Sequence, residues 1–276
     1  MAFEYFSKNG EVRPLGDATM PLTNIEFSYG FGVYETIRVV NGVPHFARDH
    51  VERLMASAKA IGLEHTLSIE SASQFIREFL PHAVVPTYNL KLLLIGAQEP
   101  EEVVFYVLPL NPRFPEKKMY RDGVPVITYP YERFMPHAKT LNMLPSYIAY
   151  RKARAAGAYD AIFIDRDGVA VEGSRTNLLA MKEKTLYISD PEKTLLGVTQ
   201  KYVAKVALEM GLHLEMHAAK PSDLPTYDCA FLTGSSIGML RIASVDGLLL
   251  GAGSESFRML SETFDVFVDD PQNHEV

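Results

Sequence analysis

Apolar and polar positions follow two periods along this chain. Between Val33 and Val39 a strand period sets Val33, Glu35, Ile37 and Val39 facing one way, and Tyr34, Thr36 and Arg38 the other. A glycine-punctuated entry, Tyr29-Gly30-Phe31-Gly32, leads into this run, and Asn41-Gly42 ends it, so the segment reads as a strand closed by a turn. Its polar face is either half-exposed or the lining of a pocket. Asn9-Gly10, between the runs 3–6 and 11–13, predicts a hairpin. Helical spacing takes over after Phe46. Val51, Leu54, Met55 and Ala58 form one stripe, Asp49 and Glu52 resemble a capping box, and Gly62 marks the end. His50, Arg53 and Ser57 fall on the face opposite the stripe. Residues 69–80 predict a second amphipathic helix. The run 90–95, apolar except for Lys91, and the run 103–108 read as buried strands.

Residues 110–122 lose all periodicity and hold Pro112 and Pro115 among several charges, which is linker composition. The expected organisation is therefore a small N-terminal α/β domain over 1–111, a linker over 112–122 and a larger C-terminal domain over 123–276. The second domain opens with a strand at 124–129. A helix at 145–156, closed by Gly157, precedes strands at 160–165 and 169–172. A hairpin spans 177–188. A helix follows Leu195-Leu196-Gly197-Val198-Thr199, with Tyr202, Val203, Val206, Ala207 and Met210 on one face. A strand at 230–233 feeds the turn Gly234-Ser235-Ser236-Ile237-Gly238. The turn Val245-Asp246-Gly247 leads to a last strand, a terminal helix covers 254–267, and the tail after Asp269 is expected to fray. The fold class is α/β (α+β) in two domains.

Composition narrows the function. Among the 276 residues 47% are apolar, enough for two modest cores. The formal charge of −7, with no dominant basic block, argues against a nucleic-acid binder. No apolar run is long enough to span a bilayer, and the first residues lack a basic-then-apolar segment, so a cytoplasmic protein is expected. Cys229 is the single cysteine, which excludes an internal disulfide and reads as a buried structural thiol. No zinc-ligand spacing, P-loop or G-x-S-x-G is present, so no metal is expected.

The candidate chemistry lies in a few polar clusters. Lys139-Thr140-Leu141-Asn142 offers an amine, and Glu172-Gly173-Ser174-Arg175-Thr176-Asn177 a carboxylate. A helix and a strand separate them, so the chain can fold back and bring them together. The glycine turn at Gly197 runs into a helix N-terminus, which is either an anion site or a helix with an ordinary Thr199 cap. Gly234, Ser235 and Ser236 form either an anion nest or a plain turn.

Taken together, K-T-L-N, V-E-G-S-R-T-N, the strand around Tyr34, H-V-E-R-L at His50–Leu54 and L-L-G-V-T at Leu195–Thr199 resemble the signature of the class IV, or fold-type IV, pyridoxal-phosphate enzymes. The resemblance runs from about Asn24 to Gly247 with the motifs in family order. That family includes branched-chain aminotransferases, D-amino-acid transaminases and aminodeoxychorismate lyases. The resemblance implies a two-domain enzyme whose C-terminal domain has a mixed, barrel-like sheet. It also implies pyridoxal 5′-phosphate between the domains, near the interface of a homodimer. Lys139 is then the attachment point and proton carrier, and Glu172 the partner of the pyridine nitrogen. Arg53, Gly197, Val198, Thr199, Gly234, Ser235 and Ser236 attend the phosphate, and Leu195 lies against the ring. Tyr34, Arg38 and Tyr88 line the substrate pocket. Leu90 stands where branched-chain enzymes carry an arginine, and Met143, Gln200 and Arg241 also depart from the family pattern. The implied reaction is transamination between an amino acid, branched-chain L-amino acids first, and a 2-oxo acid. A D-amino-acid transaminase, an aminodeoxychorismate lyase releasing pyruvate, and a degenerate PLP-binding protein without activity are the alternatives.

Overall fold

The first strand pair forms where Asn9 and Gly10 both adopt positive φ, joining β1 (Tyr5–Lys8) to β2 (Glu11–Pro14). The computed structural model describes residues 3–111, 114–217 and 219–274. These divide into two units. One takes the described residues up to 111, with 138–142 and 270–274; the other takes 114–137 and 143–269. The boundary falls near the expected linker, but two segments expected in the C-terminal domain group with the first unit. Residues 112 and 113 of that linker lie outside the described residues. The rest is not featureless, since α4 (Lys117–Asp122) occupies it.

In the first unit, a short α1 (Ile25–Ser28), capped by Asn24, leads into β3 (Gly32–Val40) and, through the Asn41-Gly42 turn, β4 (Val43–Pro44). Then come α2 (Ala47–Ala60), α3 (Ile69–Phe79), β5 (Thr87–Ile95) and β6 (Val104–Leu110). The strands pair antiparallel in the order β2-β1-β6-β5-β3-β4. Helices α2 and α3 pack Val51, Leu54, Ile76 and Phe79 against Val33, Ile37, Leu90 and Leu92 on one face of that sheet. The α3 start carries a true capping box, Ser68 with Ser71. The α2 start does not. Its N-cap is Phe46 at φ 54, with no side-chain bond, and Asp49 sits inside the first turn. The capping box expected at Asp49 is therefore absent. His50 and Ser57, expected away from the apolar stripe, are buried as well, because α2 is covered on more than one side.

The second unit is built on β7 (Val124–Pro130), α5 (Leu144–Ala155), β8 (Asp160–Ile164), β9 (Ala170–Gly173), β10 (Asn177–Lys182) and β11 (Thr185–Ser189). It continues through α6 (Val198–Glu209), β12 (His213–His217), β13 (Cys229–Gly234), β14 (Gly238–Val245), β15 (Leu248–Leu249) and α7 (Glu255–Asp269). The strand order is β12-β11-β10-β13-β14-β7-β8-β9, and β9 also pairs with β10. That last pairing, Asn177 opposite Glu172, closes a barrel, as expected from the mixed, barrel-like sheet. Within the ring, β14 with β7 and β7 with β8 pair parallel, whereas β10 with β13 and β13 with β14 pair antiparallel. Arg241 on β14 donates to the carbonyls of Asp122 and Gly251, which ties α4 to the barrel.

The tail does not fray as expected. Residues 271–273 form a turn of 3-10 helix. His274 stacks on His45, ring centroids 4.2 Å apart, and its Nδ1 accepts from the Phe46 N–H at 3.2 Å. His274 thereby satisfies the N–H of the residue that starts α2. Burial pushes the His45 imidazole down to about 3, with His274 and Arg38 adding to the effect. Unfolded His45 takes up a proton below its ordinary 6.5, whereas folded His45 refuses it until about 3, so stability is lost as the pH falls through that window. We expect His45→Phe to flatten the slope of unfolding free energy between pH 6.5 and 4 by up to about 1.4 kcal/mol per pH unit. Urea denaturation at several pH values measures it, and an unchanged slope would contradict the buried neutral histidine.

Candidate active site

In the first unit, residues 139–141 lie along the edge of β3 that β4 leaves uncovered. The Tyr34 N–H donates to Lys139 O at 3.0 Å, the Leu141 N–H donates to Gly32 O at 2.9 Å, and Thr140 bridges Val33. The Lys139 N–H also donates to Ser57 Oγ of α2 at 3.1 Å. Gly32 permits this approach: a Cβ there would meet Leu94 O at 2.7 Å and Leu141 Cδ1 at 2.8 Å. The Lys139 ammonium stands 4.7 Å from the centroid of the Tyr34 ring. Among the described residues no acid pairs with it.

The two faces of β3 separate as alternation predicts. Tyr34, Thr36 and Arg38 are half-buried, and Val33, Glu35, Ile37 and Val39 are buried. Glu35 is an acid on the core face, and it is answered there. Its carboxylate accepts from Arg53 Nε at 2.6 Å and Arg53 Nη2 at 2.8 Å, and contacts His50 Nδ1 at 2.7 Å. Burial opposes ionisation of Glu35, yet Arg53 and His50 outweigh it and hold the carboxyl well below the usual range. Burial lowers the His50 pKa against the pull of Glu35. The bidentate pair fixes the plane of the Arg53 guanidinium. Glu35 is an acid in an otherwise apolar row. That oddity is the signal that would have found the triad.

Tyr88 is not on the polar face, which corrects its expected place in a pocket. It is fully buried in the core of the first unit, with its ring centroid 5.4 Å from that of Phe3, and its hydroxyl has no hydrogen-bond partner among the described residues. Burial pushes that hydroxyl up to about 12. On β5 the residues opposite Tyr34, Thr36 and Arg38 are Leu93, Lys91 and Asn89.

In the second unit, the VEGSRTN segment is mostly scaffolding around one acid. Glu172 is 2% exposed at the barrel seam, ion-paired to Arg133 Nε, and its Oε2 accepts from the Leu195 N–H at 3.3 Å. Buried Asp160 accepts from Ser174 Oγ and from Thr176 Oγ1 at 3.0 Å, anchoring the loop behind Glu172. Asn177 Nδ2 donates to Leu195 O at 2.7 Å, and a Cβ at Gly197 would fall inside the Asn177 amide. Glu172, Asn177, Leu195 and Gly197 are thus one packed assembly. Gly197 is the N-cap of α6 and makes no side-chain cap, and Thr199 sits within the first turn rather than capping it. Val198 and Thr199 are buried at that end. Gly234 to Ile237 form a tight turn, the Ile237 N–H donating to Gly234 O at 3.0 Å, with half-buried Ser235 and Ser236 at its centre. Arg133 and Asp160 escaped sequence reading, because neither stands out from its segment by period or punctuation.

In the first unit, Lys139 is an amine with no acid partner among the described residues, the group an aldehyde requires. In the second unit, Glu172 is a buried carboxylate paired with Arg133, and the α6 N-terminus lacks a side-chain cap. Among the described residues no cluster fit to hold a metal is present.

Comparison with known proteins agrees. A family model described as amino-transferase class IV matches residues 32–245. The D-alanine aminotransferase of Bacillus licheniformis is 28% identical over 259 residues, covering 89% of this chain and 90% of that protein. A putative branched-chain-amino-acid aminotransferase of Methanocaldococcus jannaschii is 27% identical over 253 residues, 88% of each. Among solved structures, the fold is shared with a branched-chain aminotransferase from Thermoproteus uzoniensis, solved with norvaline. The TM-score is 0.87 at 24% identity, over 98% of this chain and 96% of that one.

Two substitutions test these assignments. Tyr88→Phe removes only an unpartnered hydroxyl, so we expect unchanged or slightly raised stability, within about 1 kcal/mol, and a KM within about twofold of the parent. A large rise in KM would return Tyr88 to the pocket. Glu35→Gln strands the Arg53 charge and is expected to cost about 3–5 kcal/mol by urea denaturation of the apoprotein. A loss under about 1 kcal/mol would show that the pair carries little of the fold.

Proposed function

Because the chain belongs to the class IV aminotransferase family, we propose that it moves an amino group from an amino acid to a 2-oxo acid, with pyridoxal 5′-phosphate as cofactor. The observation that carries this reading is Lys139, a half-buried amine without an acid partner, hydrogen-bonded along the edge of β3. When bound, the cofactor supplies an electron-accepting ring that acidifies the substrate Cα–H. Lys139 is the attachment point and then takes up and returns the Cα proton as general base and acid. Glu172, oriented by Arg133 and the Leu195 N–H, would hold the proton on the pyridine nitrogen. Arg53, the α6 N-terminus at Gly197–Thr199 and the Gly234–Ser236 turn would bind the phosphate, and Leu195 would lie against the ring. Arg38 takes the substrate α-carboxylate, and Tyr34 lies beside the reacting amine.

The amino donor in this reading is aliphatic, a branched-chain or related L-amino acid. Half-buried Leu93, Leu108 and Leu141 form an apolar patch in the first unit next to the polar row of β3. With Tyr88 in the core, that patch is the observation supporting an aliphatic side chain. A homodimer belongs to the same reading. No helix among the described residues is long and apolar enough to cross a membrane. A cytoplasmic enzyme is proposed.

The test is the visible absorbance of the protein supplied with pyridoxal phosphate, before and after adding L-leucine or D-alanine. We expect a cofactor band that L-leucine bleaches. We also expect Lys139→Ala to lose the band and at least about a thousandfold in turnover. Bleaching by D-alanine alone would reverse the enantiomer, and normal turnover without Lys139 would overturn the mechanism.

A further inference from the structure

Two guanidiniums flank β3, and they are held by different means. On the core face Arg53 is paired with a carboxylate, that of Glu35. On the other face half-buried Arg38 has an imidazole beside it. The register that sets Val39 opposite Pro44 continues one step to Arg38 opposite His45, and the His45 N–H donates to Arg38 O at 2.8 Å. Opposite residues of an antiparallel pair share a face, so the His45 ring stands next to the Arg38 side chain. Arg38 is accordingly one of two charged or titratable groups that act on His45. The other is His274, and no acid among the described residues joins them.

The far end of the chain holds His45 there. His274 lies parallel to it, with ring centroids 4.2 Å and planes 3° apart, and meets the Phe46 ring edge-on at 4.7 Å. Its Nδ1 also accepts from the Phe46 N–H. With His274 stacked on it, His45 is 8% exposed. Burial, then His274 and Arg38, keep the His45 imidazole neutral down to about 3. For stability alone an apolar ring would serve better at this position, because it takes up no proton on unfolding. What an imidazole offers Arg38 is a lone pair without a charge. A carboxylate beside Arg38 would compete with an incoming anion for the guanidinium. A neutral nitrogen orients the guanidinium and leaves its charge for a ligand.

We propose that His45 and His274 are positioning residues for Arg38. His45 orients the guanidinium, and His274 keeps that ring in place and out of water, so the C-terminal tail completes the carboxylate site. Both act through Arg38 and neither is placed on the substrate. This inference rests on the reading of Arg38 as the group that takes the substrate α-carboxylate, and it deepens that reading.

The holoenzyme is titrated by calorimetry with isocaproate, an unreactive acid with the leucine skeleton, and with isocaproamide, its neutral counterpart. We expect His274→Ala to weaken isocaproate binding about tenfold and isocaproamide binding by less than about twofold. KM for L-leucine rises in step while kcat stays within about twofold, the pattern of a lost binding contact. The deficit of the variant grows as the pH falls from about 7.5 to 5.5, because His45 left in water takes up a proton near its ordinary 6.5 and then repels Arg38. His274→Phe, which restores the stack without the acceptor, removes that pH dependence. Thermal melting confirms that each variant folds. Equal weakening of acid and amide, or a lowered melting temperature with isocaproate affinity unchanged, would make the tail a structural feature only and overturn the proposal. Arg38→Met separates the two levels of the reading. If it weakens isocaproate and His274→Ala does not, this proposal alone fails; if it leaves isocaproate unchanged, the carboxylate role of Arg38 fails and the proposal with it.

Discussion

The hydrogen bonds that seat residues 139–141 on the edge of β3 are the constraint from which the chemistry of the first unit follows. They take a segment far along the chain and add it to the N-terminal sheet as though it were a short extra strand. The backbone of Lys139 is thereby held from two sides, by Tyr34 and by Ser57, while its side chain keeps its freedom over the Tyr34 ring. The role proposed for Lys139, attachment point and proton carrier, needs that combination of fixed root and movable tip. Gly32 is part of the arrangement, since a side chain there would push the added segment away.

Charge is distributed across β3 by the same alternation. The core face carries Glu35, paired with Arg53 and in contact with His50, and the other face carries Arg38 with Lys91 and Lys139 near Tyr34. A single strand thus separates a satisfied ionic triad from a row of cations. The first kind of arrangement holds a guanidinium in place; the second attracts anions. The second unit solves a different problem, that of pairing one carboxylate in a buried barrel seam. Arg133 and the Leu195 N–H answer Glu172, while Asp160 and Asn177 tie the flanking turns so that the acid cannot drift. Most of the polar residues around Glu172 therefore support position and do not touch chemistry themselves.

Much of this was legible in the chain because period and punctuation agreed. The strand at β3 lay between glycine-marked ends, and its buried and half-buried residues alternate as its spacing predicts. Residues 90–95 carried no such phase. Nearly all of them are apolar, so nothing but Lys91 indicates which residues point outward, and taking Tyr88 as a pocket residue put the wrong parity in the site. The start of α2 misled for a different reason. A Phe at positive φ is rare, and Asp49 with Glu52 mimicked a cap three residues too late. The order of the tail rests on a contact between His45 and His274, which lie far apart in sequence and belong to no local pattern. The partners of Glu35 and Glu172 were hidden likewise, since tertiary packing brings Arg133 and His50 to them. The roles of Lys139, Glu172 and the phosphate-binding turns came from resemblance and not from periodicity.

The central claim is that Lys139 carries the cofactor. Reduction of the pyridoxal-phosphate-loaded protein with borohydride, followed by peptide mass mapping, tests it directly. The account predicts a phosphopyridoxyl group on the peptide that contains Lys139 and on no other. A label on Lys91 instead, or no label on either lysine, would contradict it.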